Sequence, residues 1–186
     1  MLPAKRSLFV CLLVSALSVA ASAQGFHLSN NTSVSHGYAP GGHIPAALLS
    51  AKTIFLSNAG ADSGLFPQPF SGDPNRGYEE LYEMLKSAGQ HQLVEDPSQA
   101  DLVLELQLVA PSGPAGADKQ KGAADPLPMF RLTIYDRKTH YILWAFTETI
   151  EVALRQQTHD KNFDQALSNI AYDFNAVTTS MSRNSQ

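Results

Sequence analysis

The chain has 186 residues, a formal net charge of −4 and one cysteine, Cys11. A mildly acidic chain without basic clusters argues against a nucleic-acid or anionic-lipid surface, and one cysteine excludes an intrachain disulfide. The length suits a single domain with an attached arm.

Residues 1–23 read as a secretory signal: Lys5 and Arg6 precede an apolar run from Leu8 to Ala20, and Ala21-Ser22-Ala23 supplies the small-residue cleavage pattern. The apolar run is thirteen residues long, short of the roughly 20 a membrane-spanning helix needs. No integral membrane segment is expected after cleavage. Removing this segment takes away two basic residues and no acidic one, moving the charge from −4 to −6. It also removes Cys11, so thiol catalysis and thiolate metal sites are not expected. Cys11 lies inside the apolar run behind Leu8-Phe9-Val10, without the small residue that precedes a lipidation cysteine, so no lipid anchor is expected. The destination is periplasmic or secreted.

Residues 24–50 read as a flexible arm, rich in Ser, Asn, Gly and His as far as about Pro45. Its histidines, His27, His36 and His43, are nine and seven residues apart, and no local geometry joins them into a metal site. The Asn30 and Asn31 sequons are treated as chance matches. The folded part is expected over 51–180, with a tail at 181–186.

Lys52 to Ser57 predicts the first strand. A long loop from Asn58 to Asn75 follows, with exposed-looking Phe66 and Phe70; loops of this length are often functional. Its glycines lack the Gly-Lys-Ser/Thr ending of a phosphate loop. Tyr78, Leu81, Tyr82 and Leu85 recur at helical spacing and predict a helix over about 75–88, capped by Asp73 or Asn75 and stopped by Gly89. Glu79, Glu80 and Glu83 on its outer side suit the helix dipole. A short strand at 92–95, a turn at 96–99 and an alternating strand at 102–109 come next, then a low-complexity loop over 110–127.

Pro128 to Val152 predicts a hairpin. With Arg137-Lys138-Thr139 as its loop, Ile134 pairs with Ile142, Leu132 with Trp144 and Phe130 with Phe146. Glu148 then falls opposite Pro128, at the rim of the core. His140 follows the loop where φ > 0 is often required. The opposite face carries Glu105, Gln107, Arg131, Thr133, Tyr135, Ala145, Thr147, Thr149 and Glu151, a mixed polar surface that is solvated or serves for docking.

Phe163, Leu167, Ile170, Phe174 and Val177 predict a closing helix with one buried stripe. Asn162 reads as its N-cap and Gln165 as the partner in a capping box, with Asp164 in the first turn and His159 and Asp160 just outside. An enzyme would need His159 and a carboxylate to converge on a third group. There is no G-x-S-x-G elbow and no H-E-x-x-H helix.

The segments DPSQADLVLEL and IYDRKTHYILW, in the order strand, helix, two strands, hairpin and helix, resemble small bacterial envelope domains over Ala51 to Val177. These include uncharacterised secreted or lipoprotein families and, more distantly, the TolB amino-terminal domain and CsgG-type and LpoB-type lipoprotein domains. The resemblance implies a fold and a compartment, action by protein contact, and no catalytic residues to carry over. The expected fold is an α+β two-layer sandwich, a mixed sheet of about five strands (β-α-β-β-β-β-α) with two helices on one face.

The expected function is a non-enzymatic envelope module that contacts an unknown protein partner without cofactor, metal or nucleic acid. Its candidate binding residues are Arg131, Tyr135, Glu105, Glu151, Phe66 and Phe70. Two other readings stay open: a small hydrolase or metal-dependent enzyme using His159, Asp160 and Asp164, and a self-assembling structural subunit or other homo-oligomer.

Overall fold

The computed structural model describes residues 43–111 and 127–179. The expected signal, the arm as far as residue 42, most of the 110–127 loop and the tail lie outside the described residues. The described part is an α+β sandwich. Helix α1 (Ala46–Ser50) precedes strand β1 (Thr53–Ala61), helix α2 (Arg76–Ala88), strands β2 (Gln92–Leu93), β3 (Leu102–Val109), β4 (Met129–Asp136) and β5 (Ile142–Thr149), and helix α3 (Gln156–Thr179). The sheet order is β2-β1-β3-β4-β5, parallel from β2 through β3 and antiparallel from β3 to β5.

The expected helical stripes form the core. Leu81 and Leu85 of α2, and Phe163, Leu167, Ile170, Phe174 and Val177 of α3, are buried against Ile54, Leu104, Leu132 and Ile134 of the sheet. Gly77 lets α2 approach β4 closely: a Cβ there would lie 2.9 Å from the Phe130 ring. Gly89 adopts φ 63° and its N–H returns to Leu85 O, as the helix stop requires. Asn75 is the N-cap of α2 but makes no side-chain cap bond. Its Oδ1 instead accepts from Asn58 Nδ2, while Asp73 accepts the Asn75 N–H.

Several expectations are corrected. Ala46–Ser50, read as the end of the arm, form a short helix whose Leu48 is wholly buried. β1 runs on to Ala61 because Gly60, at φ 82°, sits at an irregularity that carries the strand past Asn58. β2 keeps only two residues, although Val94 N–H still donates to Ile54 O.

The hairpin register differs by two residues. Ile134 pairs with Trp144, Leu132 with Phe146 and Phe130 with Glu148. His140 does adopt φ 60°; its N–H donates to Asp136 O, and Asp136 N–H donates to Tyr141 O. That left-handed residue inserts one position into the second strand, and a further shift between Ile134 and Tyr135 inserts another. One insertion would invert every face beyond it; two restore the faces. Trp144 and Phe146 therefore still lie on the helix side, while Ile142, paired with Tyr135 between the two shifts, is 61% exposed.

Candidate functional site

The residues singled out from the sequence fall on two sides of the sheet. On the face that no helix among the described residues covers, β3 and β4 place Glu105 opposite Thr133 and Gln107 opposite Arg131, and β5 adds Ala145 and Thr147. The Tyr135 hydroxyl donates to Glu105 Oε1 at 3.3 Å. Burial first, and then the Glu105 carboxylate, push the Tyr135 phenol up from its ordinary value. Arg131 is exposed, as are Thr147, Thr149 and Glu151. Thr133 between them is buried and Glu105, Gln107 and Tyr135 are half-buried, so the exposed groups on this face, among the described residues, are Arg131 and the small side chains of β5.

Phe66 and Phe70 are not part of it. Phe70 is 0% exposed and Phe66 is half-buried. Their rings pack on each other and on Phe163 of α3, at centroid separations of 5.2 to 6.2 Å. The loop before α2 is thus folded onto the helix side, and its aromatics extend the core instead of standing out as docking residues.

The segment His159 to Asp164 is also rearranged. α3 begins at Gln156, so Asn162 and Gln165 lie inside the helix and form no capping box. Asn162 Nδ2 donates to Glu151 O, and Gln165 Nε2 donates to Asn169 Oδ1. His159 and Asp160 are within the helix, not ahead of it. The His159 ring meets Phe70 edge-on and accepts the Ala153 N–H at 3.3 Å. Glu148, expected at the core's rim, accepts from Asn169 Nδ2 at 2.6 Å, which gives this half-buried carboxylate a partner.

Asp160 and Asp164 do converge, and the group they converge on is Arg76. Its guanidinium donates to Asp160 Oδ1 at 2.9 Å, to Asp164 Oδ1 and to Glu80 Oε1 at 2.8 Å, and reaches Ser71 O. Its Cζ lies 4.4 Å from the Phe163 ring centroid. Burial pulls the Arg76 pKa down, but the Glu80 and Asp160 hydrogen bonds outweigh it and raise the value further. Asp160 also accepts the Ser71 N–H. Burial pushes its carboxyl up, yet the bonds from Ser71, Arg76 and Gln156 prevail and hold it at about 2.

Such a network fastens α2, α3 and the loop between β1 and α2 to one another. A carboxylate held this way by a guanidinium is a poor proton acceptor near neutral pH. The sequence reading missed Arg76; its i,i+4 relation to Glu80 was the available signal. Among the described residues, no group of three or more His, Cys, Asp or Glu is arranged to hold a metal ion. No helix among them is long and apolar enough to cross a membrane. The recess bounded by Asn58, Phe66, Tyr78 and Phe130 offers about 10 Å³, room for one water at most.

No family model and no curated protein matches the chain. Solved structures that resemble it include a Xanthomonas campestris protein of family DUF330, 12% identical, covering 73% of this chain and 89% of that one at a TM-score of 0.41. A DUF4136 family protein from Bacteroides thetaiotaomicron is 12% identical, with coverages of 68% and 91% and a TM-score of 0.41. TolB from Acinetobacter baumannii, which the sequence resemblance named, is 13% identical at a TM-score of 0.40; the match covers 70% of this chain but only 29% of TolB. At such identities no residue role transfers, and the site rests on this chain's own geometry.

Proposed function

We propose that the chain is an exported, non-enzymatic module of the bacterial cell envelope that docks a protein partner on the helix-free face of its sheet. The observation that carries this reading is the contrast between the two sides. On the helix side, Asp160 and Asp164 are committed to Arg76 and His159 is packed on Phe70. On the other side, Arg131 stands exposed on the same sheet face as the Glu105–Tyr135 pair.

The mixture of one cation, carboxylates and a phenol suits a polar protein surface, because each group can find a complementary partner without desolvating an isolated charge. Arg131 and Tyr135 are the expected anchors, of the residue types that most often dominate interfaces. Glu105 and Glu151 set charge complementarity. The test is crosslinking capture from the native envelope with the parent chain and with an Arg131→Glu, Tyr135→Glu variant. Recovery of a partner by the parent and its loss in a folded double variant supports the reading. Equal recovery by both, or none by either from a correctly localised chain, overturns it.

A further inference from the structure

We propose that β5 is a self-pairing edge: two copies of this chain join their sheets through antiparallel β5 strands related by a two-fold axis at Ala145. This goes beyond the docking face above, since it uses the rim of the sheet and names the partner as a second copy.

β5 ends the sheet, and among the described residues nothing pairs with its outer side. Ile150 N–H donates to Pro128 O at 2.7 Å, which sets the phase of the strand. Alternate N–H groups then turn towards β4 at Glu148, Phe146 and Trp144, and those of Ala145, Thr147 and Thr149 turn outward. All three outward residues are exposed. Proteins usually guard such an edge with lysine, proline or a very short strand. β5 is eight residues long, contains neither residue, and carries one charge, Glu148.

Two further features select a second copy of this chain. Trp144 and Phe146 face the helix side, where α3 packs against β5, and both remain half-buried. With Ala145 opposite Ala145, Trp144 of each copy lies across from Phe146 of the other in the closely spaced, non-hydrogen-bonded position where cross-strand aromatic pairs meet.

The strand is also charge-polar. The exposed Lys138 stands in the turn before it, and Glu148 and the exposed Glu151 stand at its far end. Only the antiparallel arrangement brings Glu151 of one copy to the Lys138 turn of the other, at both ends at once. A single strand pair buries less than the roughly 1,200 Å² of a standard interface, so the association is weak, with a dissociation constant of micromolar order or above.

The test uses sedimentation velocity on the purified chain from about 1 µM to about 1 mM. The parent is expected to shift from monomer to dimer. Ala145→Lys and Ala145→Asp each set like charges face to face and weaken the dimer at least about tenfold. An equimolar mixture of the two variants restores it. The side chain of residue 145 is exposed, so both variants should keep the parent's circular dichroism. Thr147→Pro removes an outward N–H without touching the β4 ladder and also gives a monomer. Arg131→Glu with Tyr135→Glu leaves the dimer intact, which separates this proposal from the docking face. A parent that stays monomeric throughout, or a dimer indifferent to the charges at position 145, overturns it.

Discussion

Replacing Asp160 with Asn removes one negative charge from the Arg76 network and leaves the shape almost unchanged. The carboxyl is held at about 2 against an ordinary value of 3.8. At about 1.36 kcal/mol per pH unit that difference has a ceiling of about 2.4 kcal/mol. The side chain is 22% exposed, and Arg76 keeps Glu80 and Asp164 as partners. Solvent screening and those remaining partners reduce the expected loss to about 1–2 kcal/mol. Because the folded-state pKa is depressed, the stabilisation is complete above the unfolded value and fades as pH falls from about 4 to about 2. Urea unfolding of parent and variant at pH 7 and pH 2.5 reads this directly: a gap near neutrality that narrows in acid. Asp160→Ala, which removes the acceptor altogether, should also cost the Ser71 amide its hydrogen-exchange protection. A gap below about 0.3 kcal/mol at pH 7, or one that does not change with pH, refutes the idea that this carboxylate fastens the loop to α3.

Other outcomes follow from the same contacts. Gly77→Ala drives a Cβ into the buried Phe130 ring, itself backed by Phe163 at 4.8 Å. It should cost about 1–3 kcal/mol in urea unfolding. His140→Gly relieves a left-handed non-glycine residue whose side chain is exposed. It should leave the melting temperature unchanged or raised; a clear drop would mean the imidazole holds something in place. Leu48→Ala should destabilise by about 2–4 kcal/mol, because α1 is anchored by that buried side chain. A cost under about 0.5 kcal/mol would show that α1 is not part of the packed unit.

What could be read from the sequence was local and periodic. The stripes of α2 and α3, the Gly89 stop and the left-handed His140 each depend on a few neighbouring residues, and each appears in the structure. The hairpin register escaped because its two insertions cancel in the alternation pattern, so apolar still faces apolar two residues away. The start of α3 escaped for a different reason. Its first turns hold few apolar residues, and long-range bonds hold them: Gln156 to Pro69 O, Asp160 to Ser71 and Arg76. Periodicity therefore first registers at Phe163. Phe70 sits in an aperiodic loop rich in proline and glycine, where nothing local announces burial.

Of the candidate binding residues, Arg131, Tyr135 and Glu105 were correctly grouped on one face, because the period of two assigns faces whatever the register. Phe66 and Phe70 were grouped with them on composition alone, and the fold separates them. His159, Asp160 and Asp164 looked like chemistry because charge density is visible in a sequence and the neutralising partner is not. Arg76 lies more than eighty residues away along the chain.

The claim that the helix-free sheet face is the docking surface is tested most directly by placing a photocrosslinking residue at position 135 and, separately, at the exposed position 172 of α3, in cells that export the chain. The account predicts a discrete adduct from position 135 that is lost with Arg131→Glu, and none from position 172. An adduct from position 172 alone, or none from position 135, would contradict it.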